Sequence, residues 1–161
     1  MTFNIRKGVA KDAQDILNLI IELAIFEKLG DQVELTVADL LRDGFSSHPK
    51  FKTLVAETSN GTIIGMALFY ERYSTWKGTT VHLEDLMVTA SMRGIGAGKA
   101  LYTAVLKHAF DKACKRVTWD VLDWNTHAIN FYKNTGATIL EDWSVVHMNE
   151  TNLKTYLNET I

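Results

Sequence analysis

A single α/β domain with a mixed central sheet flanked by helices is the fold class this sequence predicts. Three observations predict it. Strand-period and helix-period segments alternate along the 161 residues. Three strand-like runs follow one another between Phe51 and Val88, joined by turn signals. The last of these runs through a glycine cluster into a long helical pattern. With 47% apolar and 22% charged residues, the composition is that of an ordinary soluble globule able to bury a core. No repeat, linker or low-complexity tract divides it, so one domain over 1–161 is expected.

Taken in order, Phe3–Lys7 alternates like a short edge strand. Asp12 opens a helix whose apolar face is Ile16, Leu19, Ile20, Leu23 and Phe26, with Gly30 as its stop signal. Thr36, with Asp39 three residues on, is a capping-box start for a brief helix through Leu40, Leu41 and Phe45, which S-S-H-P closes. Phe51–Glu57 and Thr62–Tyr73 read as strands around Asn60-Gly61, a strong hairpin signal. The turn S-T-W-K-G leads into the strand Thr79–Val88. Gly98–Ala113 reads as a long amphipathic helix and Arg116–Leu122 as a buried strand holding Trp119 in the core. Asn125 is placed to N-cap the next helix, with Gly136 as its left-handed stop. A final strand over Thr138–Met148 and a helix from about Asn152 complete the expected order.

Composition also excludes functions. A net charge of −2 without a basic cluster gives no electrostatic footprint for nucleic acid. One cysteine, Cys114, rules out an internal disulfide and a cysteine-based metal cage, and the five histidines show no pair at ligand spacing, so no metal is expected. Cys114 also lacks a neighbouring histidine, which argues against an acyl-cysteine route. The opening M-T-F-N-I-R has no apolar leader, and no apolar run reaches the roughly 18 residues of a membrane span. The expectation is a soluble, cytoplasmic protein with no membrane partner.

The chemistry concentrates in Val81–Leu101. Strand carboxylates Glu84 and Asp85 precede a loop with Gly94, Gly96 and Gly98, flanked by Arg93 and Lys99, at the start of a helix. Backbone N–H groups at such a helix start face an anion, and glycines let it approach closely. A Walker A loop requires glycine where Arg93 stands and Ser or Thr at Ala100; the dinucleotide fingerprint requires glycine at Lys99. Both fail. An ordinary glycine-rich turn accounts for the same residues without a ligand.

What remains, R-x-x-G-x-G over Arg93–Gly98, resembles the pyrophosphate loop of the GNAT acyl-CoA-dependent N-acetyltransferases, and the element order is also theirs. E-L-A-I-F-E (Glu22–Glu27), L-E-D-L-M-V (Leu83–Val88) and N-x-x-A-I-N-F-Y-K (Asn125–Lys133) are similar to the spermidine/spermine N1-acetyltransferase family. Y-S-T-W-K-G (Tyr73–Gly78) and V-L-D-W-N (Val121–Asn125) resemble its thialysine N-ε-acetyltransferase branch more closely. The polyamine-acetylating branch usually has an aspartate where this chain has Ser74. The resemblance implies a mostly antiparallel GNAT sheet with a splayed strand pair, acetyl-CoA as cosubstrate, and a homodimer.

It also implies roles. Acetyl transfer needs a neutral amine, and an amine of pKa near 10 must first lose a proton. The family's base, acting through water, corresponds to Glu84; its general acid to Tyr132. Strand alternation places Asp85 on the opposite face from Glu84. Pantetheine is expected along Leu86, Met87 and Val88, and pyrophosphate on Arg93, Gly94, Ile95, Gly96, Ala97, Gly98 and Lys99, with Asn125 and Tyr132 also at the cofactor. Glu27, Trp76, Glu84, Asp85 and Trp143 are expected on the amine side. From the residues alone, the two carboxylates read equally as solvated strand positions, Tyr132 as a core or rim ring, Asn125 as a plain N-cap, Trp76 as a turn anchor and Trp143 as a sheet residue. The expected activity is direct acetyl transfer, in a ternary complex, to the amine of thialysine or a lysine-like molecule. Di- or polyamine acetylation, protein-lysine acetylation and an acyl-CoA-binding regulator without turnover are the alternatives.

Overall fold

The computed structural model describes residues 2–160 and divides them into two compact units, 1–120 and 121–161. The first unit is built on a five-stranded sheet in sequential order: β1 (Phe3–Lys7), β2 (Lys52–Thr58), β3 (Ile63–Ser74), β4 (Gly78–Val88) and β5 (Val117–Thr118). The pairings from β1 to β4 are antiparallel and β4–β5 is parallel. β1 sits at the edge, as its alternation predicts.

Helices α1 (Ala13–Phe26) and α2 (Val37–Gly44) pack on one face of the sheet. Ala13, Ile16, Leu17 and Leu19 of α1 and Leu40 of α2 form one buried cluster with Val55, Met66, Leu68 and Met87 from the sheet. Ile16 and Leu40 are wholly buried, so truncating either to Ala costs about 2–5 kcal/mol. Helix α3 (Ala97–Asp111) covers the other face through Leu101, Tyr102, Val105 and Ala109. A β-carbon on Gly65 would lie 2.7 Å from the Met87 carbonyl and 3.3 Å from Leu101, so glycine there permits the close approach of α3 to the sheet. Tyr102 meets Trp119 edge-on at 5.5 Å.

A buried ion pair fixes the start of α1. The Asp12 side chain, 3% exposed, accepts from Arg6 at 2.6 and 3.0 Å and from the Val9 N–H at 2.9 Å. Arg6 also reaches Glu57 on β2 at 2.8 Å. Burying Asp12 uncompensated would be costly; the guanidinium fork satisfies both oxygens.

Local signals were accurate. Thr36 and Asp39 form the reciprocal capping box of α2. Asn60-Gly61 turns β2 into β3, with Gly61 left-handed. In the second unit, α4 (Thr126–Asn134) is capped by Asn125, which accepts from the Ala128 N–H at 3.2 Å, and Gly136 closes it in the left-handed conformation. Helix α5 (Glu150–Thr160) ends the described chain.

Three expectations are corrected. α1 stops not at Gly30 but at Lys28, which takes φ 64°. Lys28 N–H bonds to Ile25 O and Leu29 N–H to Ala24 O, the paired closure of a Schellman motif. The motif's bonds and the contacts beyond them override the side-chain preference for glycine. The strand Arg116–Leu122 shrinks to Val117–Thr118. Thr138–Met148 contains no strand; among the described residues none of its backbone joins a ladder, and a strand is stable only through its partner. Its charged pair Glu141-Asp142 is exposed instead of alternating into a core.

Candidate active site

The site is created by one extra residue in β4. Leu68 pairs with Asp85, but its neighbour Phe69 pairs with Leu83, so Glu84 is a β-bulge. Adjacent residues of β3 face opposite sides, and cross-strand partners share a side. Asp85 therefore lies on the side of Leu68 and Leu83 on that of Phe69. Glu84 lies on the former side too, because the Tyr70 hydroxyl donates to its Oε2 at 2.8 Å. Simple alternation had put the two carboxylates on opposite faces; the bulge puts both on the α1 side. Phe69, on the far side, contacts the His108 ring of α3 at 5.1 Å.

Glu27, the C-cap of α1, lies close enough for its charge to act on Asp85. Burial pushes its carboxyl above the ordinary value. Asp85 is pushed up to about 6, first by burial, then by the charges of Glu84 and Glu27. Like charges crowded in a partly dry pocket resist ionisation, and a cation placed among them relieves that resistance. The arrangement suits an ammonium. The Glu84 side chain is 51% exposed, so a ligand or water reaches it. His82 is buried, packs its ring against that of Tyr70 at a 38° tilt with centroids 5.3 Å apart, approaches Glu84 Oε2 at 3.5 Å through Nε2, and meets Thr118 Oγ1 at 3.1 Å through Nδ1.

His82↔Thr118 is also the last pair of the β4–β5 ladder, which has only two. Beyond it, the β4 edge from Leu83 to Val88 has no ladder partner on that side among the described residues, which is the expected splay. Thr89 N–H bonds to Ile64 O, so by alternation Met87 points its backbone groups at β3 while Leu86 and Val88 point theirs outward. The Val88 carbonyl accepts from Arg93 Nε at 3.2 Å.

The glycine loop follows. Gly94 and Gly96 have φ 84° and 88°, and a β-carbon on either would meet nothing within 4 Å. Gly96 caps α3 without any side-chain cap, leaving the first-turn N–H groups of Ala97, Gly98 and Lys99 for a ligand. An open, amide-lined cradle at a helix N-terminus fits a pyrophosphate. α1 braces the loop from below: Glu22 Oε1 accepts from Ala90 N–H at 2.8 Å and Thr89 Oγ1 at 3.1 Å, and Arg93 lies over the Phe26 ring at 5.1 Å.

The structure thus brings Glu27, Glu84 and Asp85 together. Trp76 lies at the β3–β4 turn, 78% exposed. Asn125 and Tyr132 belong to the second unit, where Tyr132 is a buried residue of α4, and Trp143 lies exposed in the segment after it. Tyr70, His82, Thr118 and Glu22 escaped sequence reasoning. The available signal is a polar residue inside an apolar strand, V-H-L, where histidine spacing alone speaks only to metal binding.

A profile of the Acetyltransferase (GNAT) family matches residues 17–137. Thialysine N-epsilon-acetyltransferase of Bos taurus is 40% identical over 149 residues, covering 86% of this chain and 88% of that protein. Spermidine/spermine N(1)-acetyltransferase-like protein 1 of Homo sapiens is 38% identical over 160 residues, 94% of this chain but 23% of its own length. Among solved structures, an integron cassette protein from the V. cholerae mobile metagenome superposes with a TM-score of 0.79 at 24% identity, over 98% of both chains. An aminoglycoside acetyltransferase from an uncultured soil sample gives 0.72 at 22% identity over 91% of this chain and 94% of its own. These two establish the fold.

Proposed function

The chain belongs to the Acetyltransferase (GNAT) family, and from that premise we propose that it transfers acetyl from acetyl-CoA to the primary amine of a small thialysine- or lysine-like molecule, directly and in a ternary complex. The observation that carries the amine assignment is the bulge at Glu84, which doubles the carboxylates on one face opposite Glu27. The family profile runs across the boundary at Asp120, which supports reading 1–161 as one acetyltransferase domain.

Acetyl-CoA brings the thioester carbonyl and a thiolate leaving group. Gly94, Gly96 and the N–H groups of Ala97–Lys99 hold its pyrophosphate; Leu86 and the Val88 N–H offer backbone groups to the pantetheine arm. Asp85 and Glu27 attract the ammonium. Glu84 accepts a proton from it, through water, freeing the lone pair for attack on the carbonyl carbon. As the C–S bond breaks, the Tyr132 hydroxyl gives its proton to sulfur, and the second amine proton restores the tyrosine. Tyr132 and Asn125 take these roles by resemblance; Trp76 and Trp143 are assigned to the amine side on the same ground. No metal enters this scheme. Cytoplasmic location and a homodimer are part of the proposal, and no helix of the described residues is long and apolar enough to cross a membrane.

A second reading, acetylation of a di- or polyamine, is favoured by the three clustered carboxylates and by the human relative's name; Ser74, in place of an acidic residue, opposes it. The test is CoA release from acetyl-CoA with thialysine, lysine, ornithine, putrescine, spermidine and spermine. Preference for thialysine or the short amino acids supports the proposal. Preference for spermidine supports the second reading. CoA binding without release on any amine refutes both and points to a protein lysine or a regulatory role.

A further inference from the structure

Glu84 is half exposed, and a free glutamate at such a position samples several rotamers, so holding it in one costs conformational entropy. The structure supplies what orders it. We propose that Tyr70 and His82 are positioning residues for Glu84, which occupy Oε2 and leave Oε1 as the oxygen that takes the proton of the amine. The inference rests on the reading of Glu84 as the base.

Tyr70 donates to Oε2 at 2.8 Å, and His82 Nε2 stands 3.5 Å from the same oxygen. Among the described residues, none donates to Oε1. Each support is itself anchored. The Tyr70 and His82 rings are in tilted contact, and the two residues face each other across the β3–β4 ladder. His82 is pinned from behind by Thr118, at the point where β4 and β5 part. The hydrogen-bonded chain Thr118–His82 and the Tyr70 ring therefore tie the orientation of the carboxylate to the vertex of the splay. Tyr70 stays a donor across the working pH range, since burial first, then its bond to Glu84, pushes its hydroxyl up to about 12. The charged and titratable groups around this set are Asp85 and His82 on β4, Glu27 at the end of α1, Arg72 on β3 and Asp120 after β5.

The test compares Tyr70→Phe, His82→Phe, His82→Gln and Glu84→Gln in steady-state assays with thialysine, or with the amine of highest turnover in the panel. Tyr70→Phe keeps the ring and removes the donor. Its kcat should fall roughly tenfold, with KM for acetyl-CoA unchanged. The acid limb of its kcat/KM profile should move to higher pH by about one unit, because a hydrogen bond to the ionised carboxylate has been lost. His82→Gln, which retains a donor, should keep turnover that His82→Phe loses. A Tyr70→Phe enzyme with kcat within twofold of wild type and an unmoved acid limb overturns the inference, as does a loss expressed only in KM for acetyl-CoA. Glu84→Gln separates the two levels. If it keeps wild-type turnover, the base assignment itself falls; if it is inactive while Tyr70→Phe is unaffected, only the positioning role falls.

Discussion

Replacing Asp85 by Asn should make this protein more stable, and by an amount that depends on pH. In the fold, burial and the charges of Glu84 and Glu27 raise the Asp85 carboxyl from 3.8 to about 6. A carboxyl whose folded pKa is raised opposes folding only when ionised. The cost is absent below about 3.8, grows between 3.8 and 6, and is complete above 6. That interval corresponds to about 3 kcal/mol at pH 8 and about 1 kcal/mol at pH 4.5. Asn removes the charge at every pH and adds whatever fixed cost or gain its amide brings. The difference between the two pH values, about 2 kcal/mol, therefore belongs to ionisation alone. For a domain of this size, it appears as a change in Tm that is about 4–8 °C more favourable at pH 8 than at pH 4.5. Thermal unfolding of both proteins at the two pH values measures it. The same variant should raise KM for the amine, since one of the carboxylates meant for the ammonium is gone. An equal effect on Tm at both pH values would refute the crowding of charge from which the amine site is inferred.

Gly96→Ala places a β-carbon in open space at φ 88°, so it should cost only about 1–2 kcal/mol of stability yet raise KM for acetyl-CoA at least tenfold; a Tm loss with unchanged KM would show that the loop does not hold the cofactor. Ala113, at φ 55°, closes α3 in the left-handed conformation, and Ala113→Gly should stabilise by about 0.5–1 kcal/mol, read as a rise in the urea midpoint; a fall would mean that the alanine methyl matters more than its backbone. Arg6→Met strands the buried Asp12 and should cost about 3–5 kcal/mol at pH 7. Arg6 holds Asp12 below its ordinary pKa, so the pair's contribution is present above 3.8 and fades as pH falls further. In the variant, burial no longer opposed by Arg6 raises the stranded carboxyl, so the gap between variant and wild type in denaturant titrations should begin to narrow above 3.8 and go on closing below it; a gap constant down to pH 2 would refute the pairing.

What the sequence disclosed was local. Thr36 with Asp39, Asn60-Gly61, Asn125 and Gly136 each act within a few residues, and each formed the cap or turn it signals. The glycine loop was legible for the same reason. What escaped depends on partners distant in the chain. Arg116–Leu122 has the composition of a strand, yet only Val117 and Thr118 find a neighbour on β4. Thr138–Met148 finds none. Lys28 and Ala113 end helices in a conformation normally reserved for glycine, held by Schellman hydrogen bonds that no residue preference reveals. Glu84 and Asp85 were both identified, but their shared face was not, because a bulge is a relation between β3 and β4 and not a property of either.

The residue inserted at Glu84 behaves like a dislocation in a crystal. Upstream of it, odd-numbered positions of β4, Val81 and Leu83, address the α3 layer; downstream, odd-numbered Asp85 and Met87 address the α1 layer. The two halves of one strand are thus out of phase, and removing a single residue would bring them back into phase. Asp85 and Met87 would keep their places on the α1 side opposite Leu68 and Met66, but only one carboxylate would remain on that face. For this strand, residue count is as binding a constraint as residue type: substitutions can vary the pocket by degrees, whereas a one-residue deletion at the bulge would leave the sheet regular and the paired carboxylates undone.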